Sequence, residues 1–422
     1  MSDHSTPTRR EFIYTTGAAV AAASVMGAGR AHAANKKLKV GLIGCGGRGT
    51  GAATQALMAD PDTELVALGD AFADQVDACE KKLKSGPAGD RVNVPASRRF
   101  AGFDAYLKVI EASDVVLHAA PPHFRPLHLT ATIDAGKHTF VEKPVAVDPA
   151  GVRAVRAASE KARAKGINVV TGLCYRYENA KRETMKRIHA GEIGDILTLQ
   201  TTYNTGTLWH KGRKPEWSDM EYQIRNWLYF DWLSGDHITE QHIHSLDKIA
   251  WAMNNVYPAK ATASGGRTVR VEPEYGNIYD HFNTVYEWAN GVKAFSSCRQ
   301  WANSDTDVSD HVYGTKGTAH IQTHEIADRA GTVLWKQEKD PADDMYQNEH
   351  NAFFAAIRKG EPINDGEIMC NSTLMAIMAR LSAYTGKTVT WDEMLTSTLD
   401  LSPAAYTWGD APQRPVQHPG MT

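Results

Sequence analysis

The feature that most constrains this chain is a glycine-rich turn that joins an apolar strand to a helix near its N-terminus. The apolar run at residues 38–43 leads into Gly-Cys-Gly-Gly-Arg-Gly at residues 44–49, and a helix-like run follows from Ala52. In this context the glycines permit a tight turn and a close approach of backbone to a pyrophosphate, while the helix N-terminus presents N–H groups to the phosphates. A Gly-rich loop without a ligand is the alternative, but the flanking strand and helix favour a dinucleotide site.

An acidic residue follows the glycines at a suitable distance. A second apolar run, residues 64–68, ends at Gly69 and Asp70. In dinucleotide-binding folds an acid about 20 residues beyond the glycines binds the adenosine ribose hydroxyls. Asp70 is followed by Ala71 and Phe72 and not by arginine, so a 2′-phosphate would meet a carboxylate without a basic partner. We therefore expect NAD in preference to NADP, although Arg48 in the turn weakens this argument and Asp70 as a simple turn residue is the alternative.

The alternation of strand-like and helix-like runs continues to Pro144. Residues 115–119 resemble a strand, residues 127–135 a helix, and a further apolar run ends in Glu142-Lys143-Pro144. This alternation predicts a doubly wound parallel sheet, which we assign to a Rossmann domain at residues 36–165. Lys143 would then lie at the C-terminal end of a strand, the edge at which such sheets bind ligands.

The 422 residues are too many for one ordinary core, so a second domain is expected. Short alternating runs between turns from residue 260 to 320 predict antiparallel strands, and residues 348–358 and 371–384 are helix-like. We predict an α/β fold: the Rossmann domain, an α/β domain with a large, mostly antiparallel open sheet at residues 166–390, and a C-terminal tail at residues 391–422. The net charge of −3 offers no strong field for nucleic acid or a membrane surface, which favours a small-molecule partner.

The N-terminus has the pattern of an export signal. Arg9 and Arg10 precede Phe12, a mild apolar run covers residues 17–29, and Ala31-His32-Ala33 resembles a cleavage site. We expect a twin-arginine signal peptide at residues 1–33 and a periplasmic mature protein, since no later run is apolar and long enough to span a bilayer. Free nicotinamide cofactor is not expected there, so an exported enzyme would retain its cofactor tightly.

The pattern of residues 235–254 predicts an amphipathic helix with one face of histidine and acidic side chains. His237, Glu240, His244 and Asp247 recur at steps of three and four residues and so share one side. A carboxylate one turn from an imidazole can orient it and raise its pKa, which suits a general base. Two alternatives remain at this point: zinc bound by His237, Glu240 and His244, or a solvated polar face.

The glycine turn, Ala135-Gly136-Lys137-His138 and Glu142-Lys143-Pro144, in this order and spacing, resemble the Gfo/Idh/MocA family of oxidoreductases. Tyr175-Arg176-Tyr177, Gly191-Glu192-Ile193-Gly194 and Gly314-Thr315-Lys316-Gly317 extend the resemblance over nearly all of the mature chain. The resemblance implies a Rossmann domain followed by an α/β domain whose open sheet forms an oligomer interface, hence a homo-oligomer.

The resemblance also implies a catalytic triad of Lys143, Glu240 and His244, in which Lys143 polarises an oxygen and His244 exchanges the proton. Glu240 replaces the aspartate usual in the family, and Arg125 lies where many relatives have histidine. The implied reaction is oxidation of a hydroxyl, or reduction of a carbonyl, on a sugar or cyclitol.

The remaining site residues follow from these motifs and from an aromatic segment before the catalytic helix. This segment contains Tyr203, Trp209, Trp217, Tyr222, Trp227, Tyr229, Phe230 and Trp232. The expected cofactor-binding residues are Gly44, Cys45, Gly46, Gly47, Arg48, Gly49, Asp70, Ala120, Pro121, Glu142, Lys143 and Arg176. The expected substrate-binding residues are Tyr175, Trp209, His210, His237 and His242. We expect no resident metal.

Three functions fit these residues. The first is an NAD(P)-dependent dehydrogenase acting on a ring hydroxyl of a sugar, glycoside or cyclitol. The second is an NAD-dependent glycosidase that oxidises a hydroxyl transiently, eliminates the aglycone, adds water and returns the hydride. The third is a non-catalytic sugar sensor, which the joint presence of Lys143, Glu240 and His244 disfavours.

Overall fold

A computed structural model describes residues 36–420, which form two sheets with their helices. The predicted signal peptide at residues 1–33 lies outside the described residues. Within residues 36–420 no helix is long and apolar enough to cross a membrane.

The first domain alternates strands and helices, as the sequence predicts. Its strands are β1 Leu38–Ile43, β2 Thr63–Asp70, β3 Arg99–Ala101, β4 Val115–His118, β5 His138–Val141 and β6 Val169–Thr171. Its helices are α1 Gly47–Ala59, α2 Ala73–Lys84, α3 Ala105–Ala112, α4 Arg125–Asp134 and α5 Pro149–Lys165. The strand order is β3-β2-β1-β4-β5-β6 and every pair is parallel. The predicted doubly wound parallel sheet is confirmed.

Both faces of this sheet are buried, which explains its continuous apolar strands. Val40 and Leu42 pack into one hydrophobic cluster, whereas Ile43 belongs to a second cluster on the other face. The sheet includes β6, so the first domain extends past the predicted boundary at residue 165.

The second domain contains the remaining strands and helices. Its strands are β7 Ile196–Thr205, β8 Lys260–Gly266, β9 His281–Glu287, β10 Lys293–Gln300, β11 Asp307–Gly314, β12 Gly317–His320, β13 Glu325–Asp328, β14 Val333–Lys336 and β15 Val389–Thr390. Its helices are α6 Asn179–His189, α7 Asp219–Arg225, α8 Asp231–Ser234, α9 Asp236–Glu240, α10 Ile243–Ala252, α11 Met345–Lys359, α12 Gly366–Thr385 and α13 Trp391–Thr396. The nine strands form one sheet in the order β14-β13-β12-β11-β7-β10-β9-β8-β15.

This second sheet is antiparallel except between β7 and β10, in agreement with the predicted large, mostly antiparallel sheet. Leu246 of α10 and Met375 of α12 pack in one hydrophobic cluster with Tyr286 of β9, so these helices cover one face. Phe295 of β10 pairs with Val285 of β9, and both side chains are exposed on the other face. The sheet is therefore open on that side.

The chain returns to the first domain twice after β14. Phe353 and Phe354 of α11 belong to the same hydrophobic cluster as Leu42, so this helix completes the first core. The residues after α13 also run back, since the Leu401 N–H donates to Asp148 Oδ2 at 2.9 Å. Segments distant in sequence therefore complete the packing of the first domain.

Candidate active site

The glycine turn is shaped by two positions at which a side chain has no room. Gly44 has a φ of +94°, and a Cβ there would lie 2.3 Å from the Ala120 nitrogen. A Cβ at Gly49 would lie 1.9 Å from the Gly44 carbonyl oxygen. These two glycines are required for the tight turn and for close packing of α1 on the strands.

The other two glycines leave open space. A Cβ at Gly46 or Gly47 would meet no atom within 4 Å, and both residues line a cavity of about 570 Å³. Helix α1 begins at Gly47 without a side-chain cap, so its first N–H groups are free to bind an anion. The turn therefore fits a pyrophosphate.

Asp70 lies at the end of β2 and lines the same cavity, as do Ala120 and Pro121. Its Oδ2 accepts the Cys45 N–H at 2.7 Å, and its Oδ1 accepts the Phe72 N–H at 3.0 Å. Burial raises the pKa of Asp70. The carboxylate thus stabilises the turn while facing the cavity, whereas the buried thiol of Cys45 contacts the Gly69 carbonyl and only its backbone serves the turn.

The Arg48 side chain connects the turn to the Glu142-Lys143-Pro144 segment. Its Nε donates to Glu142 Oε1 at 2.5 Å, and its Nη2 donates to buried Glu349 Oε1 at 3.2 Å. The other Glu142 oxygen accepts the Lys143 N–H at 3.2 Å. Both side chains are thus paired within the protein, and they connect Lys143 to the glycine turn. Arg48 also lines the cavity, whereas Glu142 does not, and their expected contact with the cofactor stays a prediction.

Lys143 follows β5 and is held by Glu240. Its Nζ donates to Glu240 Oε1 at 2.9 Å and also to the Glu240 carbonyl oxygen. The two side chains are 14% and 16% exposed, so the pair is largely but not completely buried. Two oxygens orient the ammonium and leave one of its protons for another acceptor.

The predicted continuous helix at residues 235–254 is wrong, because the structure breaks it between α9 and α10. The His242 N–H donates to the His237 carbonyl at 3.0 Å, and the His244 N–H donates weakly to Gln241 at 3.4 Å. The Glu240 carbonyl is therefore not used by the helical ladder and accepts from Lys143 instead. The helix break thus provides one of the two Glu240 oxygens that accept hydrogen bonds from Lys143.

His244 is not oriented by Glu240, which corrects the predicted carboxylate–imidazole pair. Its ring lies edge-to-face with Tyr175 at 5.2 Å between centroids, and its Nδ1 is buried without a partner in the described part of the chain. Burial lowers the pKa of His244 well below its usual value, and the nearby charges of Lys143 and Lys248 lower it further. The lowered pKa keeps His244 neutral near neutral pH, so one ring nitrogen has a lone pair that can accept a proton.

Tyr175 lies at this centre through its contact with His244, and its expected contact with the substrate stays a prediction. The ammonium groups of Lys248 and Lys181 lie 4.4 and 4.9 Å from the centroid of its ring. Burial raises the pKa of Tyr175 to about 12, so its hydroxyl stays protonated.

His237 and His242 are core residues and not the expected substrate contacts. The His237 ring pairs with Asp236 Oδ1 at 3.1 Å and packs on Phe282. His242 is fully buried, with Nε2 2.7 Å from Ser296 Oγ, and burial lowers its pKa to about 3. Both rings therefore contact strands of the second sheet, at Phe282 and Ser296.

Arg176 also departs from its predicted role in cofactor binding. Its guanidinium forms two hydrogen bonds to Asp247, at 2.7 and 2.8 Å, and lies over Trp251 of α10. Its Nη2 also donates to Asn255 Oδ1 at 2.9 Å, so the side chain stabilises the end of that helix.

The aromatic segment before the catalytic helices divides between two locations. Trp209 lines the dinucleotide cavity and not the Lys143 centre, whereas His210 bonds to Tyr222 at 3.2 Å and packs among tyrosines. Lys211 and Arg225 line the cavity as well, although neither residue was predicted to do so from the sequence. The only signal for them was the mixture of basic and aromatic residues in this segment.

The zinc alternative is not supported by the side-chain arrangement. His237 faces Asp236 and Glu240 faces Lys143, so neither points with His244 to a common centre. Among residues 36–420, no group of three or more His, Cys, Asp or Glu side chains could hold a metal ion.

Two family models match the chain. Residues 38–169 match an oxidoreductase family model with an NAD-binding Rossmann fold, and residues 182–320 match the GFO/IDH/MocA C-terminal domain. The inositol 2-dehydrogenase of Rhizobium meliloti (strain 1021) is 26% identical over 351 residues, covering 78% of this chain and 92% of that protein.

Solved structures share the fold. Apo scyllo-inositol dehydrogenase from Lactobacillus casei matches with a TM-score of 0.63 and 18% identity, over 84% of this chain and 98% of that one. Aldose-aldose oxidoreductase from Caulobacter crescentus, complexed with glycerol, matches with a TM-score of 0.63 and 17% identity, over 84% and 100% of the chains. With the glycine turn, the Glu142-Lys143-Pro144 segment and both family models in agreement, the chain belongs to the Gfo/Idh/MocA family of NAD-binding oxidoreductases.

Proposed function

We propose that this protein is an NAD-dependent dehydrogenase that interconverts a ring hydroxyl and a ring carbonyl on a cyclitol or sugar. The observation that carries the proposal is the Arg48–Glu142 ion pair, because it positions Lys143 at the glycine turn and so beside a bound dinucleotide. The dinucleotide, when bound, supplies the hydride acceptor and donor.

The side chains have separate tasks. Lys143 is oriented by the backbone carbonyl oxygen and the carboxylate Oε1 of Glu240. It donates a hydrogen bond to the reacting oxygen and stabilises the negative charge that develops there. Neutral His244 takes the hydroxyl proton through Nε2, since its Nδ1 is buried. Tyr175 packs against His244 and borders the substrate.

Two features support NAD over NADP. Asp70 lies where the adenosine ribose hydroxyls bind, and its charge would oppose a 2′-phosphate. Arg225, the nearest guanidinium on the opposite wall, is already paired with Asp74 and Glu221. Lys211 is the cation left to receive a 2′-phosphate, so binding of both nucleotides should be measured directly.

The proposed substrate class draws on the relatives. The curated relatives include inositol 2-dehydrogenases from several bacteria, and their names favour a cyclitol as the first substrate to test. The name of the Caulobacter structure favours aldoses as the second.

Localisation and assembly complete the proposal. The Arg9-Arg10 pattern supports export through the twin-arginine route with the cofactor already bound. The exposed Phe295 and Val285 on the open sheet support a homo-oligomer, a dimer or tetramer, through that face.

The test uses purified mature protein. The nucleotide released on denaturation is identified by chromatography, and the protein is then offered inositols, aldoses and aryl glycosides while reduced nicotinamide is followed by absorbance. Reduction with an inositol or aldose supports the dehydrogenase, and aglycone release without net reduction supports the glycosidase. Ligand binding that Lys143→Met leaves unchanged, with no turnover by the wild type, would replace both with a sensor.

A further inference from the structure

The dinucleotide cavity has a wall that does not belong to the Rossmann domain. One side consists of the glycine turn, Asp70 and Phe72. The other side is formed by residues 208–227 of the second domain, here called the cover segment. Its cavity-lining members are Trp209, Lys211, Ile224, Arg225 and Trp227. Because Asp70 marks the adenosine ribose position, the cover segment faces the adenosine half of the ligand.

An ion pair between the domains fastens this segment. Arg225, the last residue of α7, donates to both carboxylate oxygens of Asp74 in the first turn of α2, at 3.1 and 3.0 Å. Its guanidinium also lies 3.8 Å from the centroid of the Phe72 ring. The Arg225 side chain is only 11% exposed, so this contact is largely sheltered from water although Asp74 is 59% exposed. Bidentate geometry and ring stacking make it stronger than a typical surface pair.

The C-terminal residues support the segment from its outer side. The Gly409 carbonyl accepts the Met220 N–H at 2.9 Å, and the Pro412 carbonyl accepts from Gln223 at 3.1 Å. The Trp408 ring lies 4.5 Å from Phe103 and 5.4 Å from Phe72, between centroids. Helix α7 is thus bound to the first domain both by Arg225 and by this returning chain.

The charge of the cover segment suits a phosphate-containing ligand. Within residues 36–420 no carboxylate lies within ion-pair distance of Lys211; its ammonium lies 5.5 Å from the centroid of the Trp209 ring, and burial lowers its pKa. A cation without an ion-pair partner, in a cavity beside the phosphate-binding turn, favours an anionic occupant.

We infer that the cover segment forms part of the dinucleotide site, and that the Arg225–Asp74 pair holds it over the adenosine half, so that release of the dinucleotide requires this pair to open. The inference rests on the proposed dinucleotide binding and adds a cause for slow release. A cofactor retained in this way could serve many turnovers without exchange.

The test measures release of NAD and not turnover. Protein loaded with radiolabelled NAD is mixed with a large excess of unlabelled NAD or diluted into nucleotide-free buffer. The release rate is the rate at which the protein loses bound label. Asp74→Asn removes the pairing between domains at an exposed position, so folding should be kept. The matched control is Glu221→Gln, because Glu221 pairs with Arg225 at 2.8 Å within helix α7 and does not bridge the domains.

We expect Asp74→Asn to release NAD about threefold to tenfold faster than the wild type, and Glu221→Gln to stay within about twofold. Unchanged release from Asp74→Asn, or equal acceleration in both variants, would overturn the inference while leaving the proposed function intact. A wild-type protein that binds no dinucleotide would overturn both.

Discussion

Replacing Gly46 with alanine tests whether the open side of the glycine turn binds a pyrophosphate. A Cβ at Gly46 would meet no protein atom within 4 Å, so the folded chain has space for the methyl group. Loss of a favourable helix N-cap and the gain from a less flexible unfolded chain are of similar size, so the free energy of unfolding should change by less than about 0.5 kcal/mol.

Binding should respond differently, because the methyl group would occupy the space through which the backbone approaches the phosphates. Overpacking a close contact costs about 1–3 kcal/mol, which corresponds to about a fivefold to 150-fold increase in the Kd for NAD. Calorimetric titration of nucleotide-free protein measures the Kd, and chemical denaturation measures stability.

Gly49→Ala is the matched contrast within the same turn. Its Cβ would lie 1.9 Å from the Gly44 carbonyl oxygen, so this variant should lose stability as well as binding. If Gly46→Ala binds NAD as tightly as the wild type, the assignment of the turn's open side to the pyrophosphate is refuted.

Three further predictions follow from the buried charges. Glu240→Gln should lower kcat by about 10- to 100-fold, because the Lys143 ammonium loses its orientation towards the reacting oxygen. Lys143→Met should lower kcat by about 100- to 10,000-fold, because it removes that hydrogen-bond donor. Steady-state kinetics check both, and equal effects of the two variants would contradict their separate roles. Lys248→Met should lower the free energy of unfolding by about 3–5 kcal/mol, since it leaves Asp310 buried without its ion-pair partner. The double variant Lys248→Met with Asp310→Asn should recover part of this loss, and no recovery would contradict the pairing. Stability should fall as pH drops below about 6.5, because histidines with lowered pKa values stay neutral in the folded chain while the unfolded chain binds protons. Each such residue should cost about 2 kcal/mol by about pH 5, and denaturation at both pH values is the check, with flat stability as the contradicting result. The histidines concerned are His118, His123 and His242, with pKa values of about 3, 4 and 3.

The first domain could be predicted because its signals are local. A strand, a glycine turn and a helix lie within about 20 residues, and the alternation that follows has few topological solutions. Lys143 could be placed at a strand end for the same reason. The antiparallel second sheet was also predictable, whereas the pairing of β7 with β10 in parallel was not, because periodicity carries no information on strand direction.

The arrangement of the catalytic side chains was harder to predict. Helical spacing placed Glu240 one turn from His244, but the helix breaks between these two residues. The backbone carbonyl and the carboxylate of Glu240 instead accept hydrogen bonds from Lys143 of the other domain. The pairing of Arg48 with Glu349 joins residues 301 positions apart, and no local pattern reveals it. Contacts between domains decide which polar groups remain available for chemistry, and those contacts are visible only in the fold.

The central claim is that a ring hydrogen passes as hydride to a dinucleotide held beside Lys143. The most direct measurement is a single turnover with a cyclitol deuterated at its ring carbons, followed by mass spectrometry of the bound nucleotide. We expect deuterium on the nicotinamide ring in the wild type and transfer at least about 100-fold slower in Lys143→Met. A ring carbonyl that forms without deuterium in the nucleotide, or equal transfer in both proteins, would contradict it.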